Sequence, residues 1–240
     1  MAQEDLRSRQ LVETTCASGT ARVASYARIG SPIPESVDLR GEGYVHFDAD
    51  RLWLGDRLLT DRMEIRRRRR SNPVTRVLVR RLSELIEQGL HSGGLVLFEG
   101  GALRKRQKDG RWGSWAGSQA SPRPPRHPLC VLTPLENADV PIIQAAEGAS
   151  VRGEMAQRFA AEVEPAFFDA AVWSEINSSA DARSGCALRV NLWIDSQMRI
   201  VRVAFEGARS ASDSESLWCI TELWDWGVAI PPEDQLGLVP

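Results

Sequence analysis

Ala187-Leu-Arg-Val-Asn-Leu-Trp-Ile-Asp195 places Leu188, Val190, Leu192 and Ile194 at every second position, against Arg189, Asn191 and Trp193. Side chains alternate between the two faces of a strand, so this stretch is predicted to be a strand with one buried face. Asp195-Ser-Gln197 reads as a tight turn, Met198–Glu206 as the returning strand, and Leu217–Trp226 as a third strand after a serine-rich loop. Three consecutive antiparallel strands of about eight to ten residues form a meander. Antiparallel sheet is therefore the expected class, and the rest of the chain is read against it.

Upstream, residues 4–14 read as a short helix. Thr20–Ile29 reads as a strand with Val23 and Ala27 on one side and Arg22 and Tyr26 on the other. Ser31-Pro-Ile-Pro is a loop by its prolines. Strands are expected at Leu39–Phe47, Arg51–Leu54 and Leu58–Arg67, parted by turns at Asp48-Ala-Asp50 and Gly55-Asp56. The clearest helix spans 73–88. Asn72 suits the N-cap, Pro73 the first helical position and Gly89 the exit, while Val74, Val77, Leu78, Leu82, Leu85 and Ile86 repeat at the 3.6-residue period. A hairpin is expected between Leu95–Glu99 and Ala102–Gln107 across Gly100-Gly101. Further on, a short helix is expected at Leu129–Asn137, strands at Asp139–Ala146 and Ser150–Arg158, and a helix over about Pro165–Trp173.

The 240 residues are enough to bury a substantial core. The proline- and serine-rich stretch 117–128 is the best linker, read as an internal loop because neither half alone supplies a closed core. The organisation expected is an N-terminal helical or flexible segment at 1–17, one domain over 18–235, and a tail at 236–240. Totals of 30 Lys+Arg and 32 Asp+Glu hide an asymmetry: residues 1–126 carry 23 against 15, leaving 7 against 17 for 127–240. The N-terminus has no apolar stretch of secretory type and no 18-residue apolar run exists, so a cytoplasmic protein without a transmembrane segment is expected. Cys16, Cys130, Cys186 and Cys219 lack metal spacing and read as free thiols.

Several landmarks together resemble a known family. Gly43-Tyr-Val-His-Phe-Asp48, Asp109-Gly-Arg-Trp112 and His127-Pro-Leu-Cys-Val-Leu132 are followed by the hairpin Arg189-Val-Asn-Leu-Trp-Ile-Asp195 with Arg199-Ile-Val-Arg-Val203, then by Leu223-Trp-Asp-Trp-Gly-Val228 and Pro231-Pro232. In order and character these are similar to actinobacterial proteins related to the LppX/LprG lipoproteins, over roughly residues 18–235. The resemblance implies an α+β fold, a curved antiparallel β half-barrel with helices packed on its concave face, as in the related LolA and LolB carriers. It also implies an apolar cavity. The sequence departs from the family ahead of Cys16, where Val12-Glu-Thr-Thr15 stands in place of an apolar leader, so neither export nor acylation is expected.

Candidate sites follow. Leu188, Val190, Leu192 and Ile194 are expected to line a ligand cavity with Val77, Leu78, Leu82 and Leu85 of the 73–88 helix. Arg66, Arg67, Arg68, Arg69 and Arg70 form a run that suits a phosphate or lipid headgroup, although the plainer reading is a solvated strand end leading into a helix. The first two glycines of Gly41-Glu-Gly43 suggest a dinucleotide loop, but His46 replaces the third and no helix follows. In Gly113-Ser-Trp-Ala-Gly117 the serine stands one place early for a nucleophile elbow. His127 and Cys130 are suitably spaced for a thiolate–imidazole pair, but Pro128 makes them a helix start. Trp193, Trp218, Trp224 and Trp226 of the meander either cover the second sheet face or form a cavity wall or partner surface. No catalytic residue, metal site or cofactor is named by the sequence. The expected function is non-catalytic binding or carriage of a lipid or other apolar, acyl-bearing molecule. The alternative is an interaction module with a filled core that docks a partner protein through its Trp-rich or Arg-rich face, and a third reading is an enzyme of specialised metabolism using the cavity. Sequence-specific binding of nucleic acid is not expected.

Overall fold

The alternating segments pair into one antiparallel sheet. The structure, a computed structural model, describes residues 6–30, 37–58, 92–99, 102–107, 110–114, 127–168, 187–206, 216–233 and 235–236. Among these, α1 (Ser8–Cys16) precedes β1 (Thr20–Gly30), β2 (Val37–His46), β3 (Arg51–Leu58), β4 (Ser92–Glu99), β5 (Ala102–Arg106) and β6 (Trp112–Ser114). Then come α2 (Leu129–Ala138), β7 (Ile143–Val151), β8 (Glu154–Val163), a 3₁₀ turn at Pro165–Phe167, β9 (Leu188–Ile194), β10 (Ile200–Glu206) and β11 (Ser216–Trp224). The spatial order is β6-β5-β4-β3-β2-β1-β11-β10-β9-β8-β7. Two meanders, β1–β6 and β7–β11, are thus sewn together where β1 pairs with β11 from Arg22↔Trp224 to Gly30↔Ser216.

The sheet is an open half-barrel, and its curvature follows from what α2 touches. The ring of His127, just before α2, meets Phe98 of β4 edge-on with centroids 4.9 Å apart, while α2 itself packs against β8. Seven inter-strand spacings separate β4 from β8, about 34 Å on a flat sheet. A ten-residue helix is only about 15 Å long. Both contacts require a sheet that curls around the helix. Accordingly Leu11 and Val12 of α1, Leu132 and Leu135 of α2, and inward residues of β1–β4 and β8–β11 form one core cluster.

Local chemistry fixes the turns at one end. Asp195 Oδ1 accepts the Gln197 and Arg199 N–H groups at 2.9 Å each, and Arg199 returns Nε to Oδ2 at 2.8 Å. This carboxylate-organised turn is the one expected between β9 and β10. The β7–β8 turn was placed inside a strand in the expectation. Arg152 (φ 52) and Gly153 (φ 87) instead make a two-residue hairpin turn with both residues left-handed, so the strands run 143–151 and 154–163. Gly55-Asp56, expected as a turn, lies within β3, where the register to β4 shifts between Gly55 and Arg57. The extra residue is on β4, where Gly93 and Gly94 lie opposite Asp56, so β3 runs through without a break. The helix expected from Pro165 is a single 3₁₀ turn, with Phe168 already extended. The helix expected at 73–88 lies outside the described residues. From the 1–17 segment comes α1, whose Leu11 is fully buried, and Leu236, first residue of the expected tail, is buried as well.

The two sheet faces differ sharply. On the convex side the Arg152 guanidinium lies 4.2 Å over Trp224 and Arg22 lies 5.4 Å over the same ring. Arg202 and Arg158 lie 5.2 and 5.4 Å over Trp193. Glu222 binds both Arg152 and Arg202, at 2.7 and 2.5 Å. A second convex cluster buries Trp53 and Leu97 under Leu236, whose carbonyl accepts Arg106 Nη1 at 2.5 Å.

One glycine is demanded by close approach. A Cβ at Gly43 of β2 would collide with the backbone carbonyl of Trp53 on β3, which has no freedom to retreat inside a paired sheet. Gly43→Ala is therefore expected to cost about 2 kcal/mol or more and to lower Tm by roughly 4–8 °C. Thermal unfolding followed by circular dichroism checks this, and an unchanged Tm would show that β2 and β3 can part without penalty.

Candidate functional site

The concave face is the only surface to which both meanders and both helices contribute among the described residues. Register links its central row strand by strand: Gly41 faces Ser25, Ser25 faces Thr221, Thr221 faces Val203, Val203 faces Leu192 and Leu192 faces Phe159. Six strands therefore present glycine, two small hydroxyl residues and three apolar residues in line. Below this row, Val23 stands opposite Leu223. Beside it, Cys219, Phe205 and Val190 are opposed across β11, β10 and β9.

The expected cavity residues divide. Leu188, Val190, Leu192 and Ile194 all point to the concave side, are at most 3% exposed, and share the core cluster with α1 and α2. Val77, Leu78, Leu82 and Leu85, and likewise Arg66–Arg70, lie outside the described residues, in the connection from β3 to β4. That connection leaves from the end of the sheet opposite the tight turns, as do 31–36, 169–186 and 207–215.

Two side chains anchor α1 within this face. The Thr15 hydroxyl donates to the Leu11 carbonyl at 2.7 Å and accepts the Ile200 N–H at 2.9 Å. The Ser8 hydroxyl donates to the Leu135 carbonyl at 2.6 Å and accepts the Val140 N–H at 2.9 Å. Sequence reading missed both, although short hydroxyl residues on the buried face of a short helix were a usable signal.

His127 and Cys130 of the expected thiolate–imidazole pair are both buried, His127 just ahead of α2 and Cys130 within it. His127 Nδ1 accepts the Leu129 N–H at 3.1 Å and Nε2 stands 3.5 Å from the Asp50 carboxylate, so the buried ring joins the start of α2 to the β2–β3 turn. Burial pushes the Cys16 thiol up to about 11, and the carboxylates of Glu136 and Asp48 add to the shift. A thiol in that state is a poor nucleophile at neutral pH. Cys16, Cys130 and Cys219 form no disulfide, and Cys186 lies outside the described residues. Among the described residues no group of three or more His, Cys, Asp or Glu is placed to hold a metal ion. Nor is any helix among them long and apolar enough to cross a membrane.

Trp193 and Trp224 are on the convex side, locked to arginines, and so do not face the concave side. Trp226 lies past the end of β11, against Phe47 and under Arg199 at 4.8 Å. The side chain of Trp218 lies outside the description.

No family model matches the chain, and no curated protein matches it. Among solved structures the chain is similar to the lipoprotein LppX of Mycobacterium tuberculosis, at 11% identity and a TM-score of 0.46, over 93% of this chain and 97% of that one. It is similar to LprF of Mycobacterium bovis at 11% identity and a TM-score of 0.41, over 94% and 96% of the two chains. It is also similar to a LolA superfamily protein of Nitrosomonas europaea, at 10% identity and a TM-score of 0.34, over 96% and 97%. The described residues themselves form eleven antiparallel strands in one open sheet, with helices within its curve.

Proposed function

We propose that the concave face binds an apolar or acyl-bearing molecule without transforming it. The observation that carries this reading is the central row from Gly41 to Phe159, small at one end and apolar at the other, built from both meanders. A sheet of this breadth has more inner face than two helices, each about 10 Å across, cover. On this reading the uncovered part is shared between the ligand and the helix expected at 73–88, with Val77, Leu78, Leu82 and Leu85 facing Leu188, Val190, Leu192 and Ile194.

The energetics are adequate. Burying sixteen methylenes gains about 13 kcal/mol, and association costs of about 4–5 kcal/mol leave micromolar affinity. An arginine run such as Arg66–Arg70, in the same connection as the expected helix, is suited to an anionic headgroup.

The test is displacement of a fluorescent fatty-acid probe from the wild type, from Leu192→Trp and from Val203→Phe, with folding checked by circular dichroism. Each enlargement fills part of the row without adding charge. At least tenfold weaker probe binding by a folded variant is expected. Equal binding by folded variants would place the ligand elsewhere, and no binding by the wild type would favour a partner-docking protein with a filled core.

A further inference from the structure

The outer face of β2–β6 carries a line of side chains of its own. Register sets Tyr44 opposite Trp53, Trp53 opposite Leu97 and Leu97 opposite Arg104, with Arg106 opposite Trp112 beside them. Leu95 and Trp112 extend this row into an aromatic and aliphatic floor, with Trp53 and Leu97 at its centre. What covers the floor is the chain itself. After Gly227 (φ 72) the backbone leaves β11, and Ile230 and Leu236 come down on the floor. Leu236 is 2% exposed, and its carbonyl accepts Arg106 Nη1. Ala229, Pro232, Glu233 and Gln235 stay exposed. The turn at the far end is bonded to itself, the Gln235 and Leu236 N–H groups donating to the Pro232 carbonyl at 2.8 and 3.2 Å. Residues 228–233 with 235–236 thus form a strap seated on the floor by two apolar anchors, Ile230 and Leu236. A segment with so little buried surface opens more readily than the strands beneath it.

The strap does not satisfy its floor. Trp53 is 4% exposed, yet its Nε1–H is buried with no hydrogen-bond partner. Buried indole N–H groups usually find an acceptor, and one left without it destabilises the fold. Phenylalanine or leucine would serve packing at this position with no donor left over. We propose that this outer floor is a docking groove for an extended segment of a partner protein, and that the strap is its resident internal competitor. The partner segment has the strap's own chemistry, a leucine or isoleucine side chain seated on Trp53 and Leu97 with a main-chain carbonyl at Arg106. It adds what the strap lacks, an acceptor for the Trp53 indole. While no partner is bound, the strap keeps an apolar patch from water and from unselective contacts. The groove lies on the face opposite the concave row, so it stands or falls independently of ligand carriage.

The experiment uses the full chain as wild type, as Leu236→Asp, which loosens the strap, and as Leu236→Asp with Trp112→Ala, which also removes part of the floor. Circular dichroism checks that each is folded, and Ile230→Ser takes the place of Leu236→Asp if that variant is not. The first probe is a fluorescein-labelled peptide of residues 227–240, followed by anisotropy. A tethered strap competes at roughly millimolar effective concentration, so Leu236→Asp is expected to bind the peptide about tenfold or more tighter than the wild type. The second probe is the tightest sequence selected on Leu236→Asp from a displayed library of random dodecapeptides. It is expected to carry a leucine or isoleucine anchor and to bind about three- to tenfold tighter than the strap peptide, the value of one net hydrogen bond. It should also move the Trp53 indole N–H resonance downfield, that resonance being identified by its loss in Trp53→Phe. No binding of either probe by folded Leu236→Asp, or binding that survives Trp112→Ala, overturns the groove. A selected peptide that leaves the indole resonance in place overturns the part given to Trp53. A wild type that sediments as a dimer, and as a monomer once Leu236→Asp is introduced, assigns the strap to exchange between two copies and overturns its reading as an internal competitor.

Discussion

The pairing of β1 with β11 is the constraint on which the molecule depends. It joins segments roughly 200 residues apart along the chain, from Arg22↔Trp224 to Gly30↔Ser216. Every other strand pair is between neighbours in sequence order. Without this seam the chain holds two separate meanders, and the concave row stops at its middle, between Ser25 and Thr221. The seam is reinforced at its lower end, where the Gly227 N–H donates to the Thr20 carbonyl at 2.8 Å and the Thr20 hydroxyl donates to Val228 at 2.7 Å. Closing so long a loop costs entropy before the contacts form, so the seam is expected to form late in folding, after the local hairpins.

The convex face secures what the seam begins. Arg22 on β1 covers Trp224 on β11, and Glu222 on β11 holds Arg202 on β10 and Arg152 from the β7–β8 turn. Cation–aromatic contacts at partly exposed sites contribute about 0.5–1 kcal/mol each, and here several share partners across the seam. Trp193 and Trp224 thus serve the outside of the sheet, where their flat rings lie under guanidinium groups along the strands. The inside is left to small and apolar residues.

Much of this was legible in the sequence. The alternation over 187–195 and the turns at Asp48–Asp50 and Asp195–Gln197 recover the meander and much of the first half of the sheet. What failed did so for local reasons. Arg152-Gly153 was overlooked because an arginine with positive φ is uncommon, although the glycine beside it was a turn signal. Gly55-Asp56 reads as a turn because a glycine beside an aspartate is ordinary turn chemistry, whereas the irregularity opposite it lies on β4, at Gly93-Gly94. The faces of Trp193 and Trp224 follow from alternation, but their arginine partners come from other strands, and no periodicity reveals those. The Ser25–Thr221 pair was invisible for the same reason: it exists only through the β1–β11 register.

The central claim is that the concave slot is a binding site and not merely a core. Native mass spectrometry of the full chain, purified from a host related to its own without organic solvent or detergent, tests it most directly. A reproducible added mass of an acyl-bearing molecule, lost on solvent extraction while the protein stays folded, is the predicted result. A clean mass for the bare polypeptide, unchanged after incubation with fatty acids, would contradict the account.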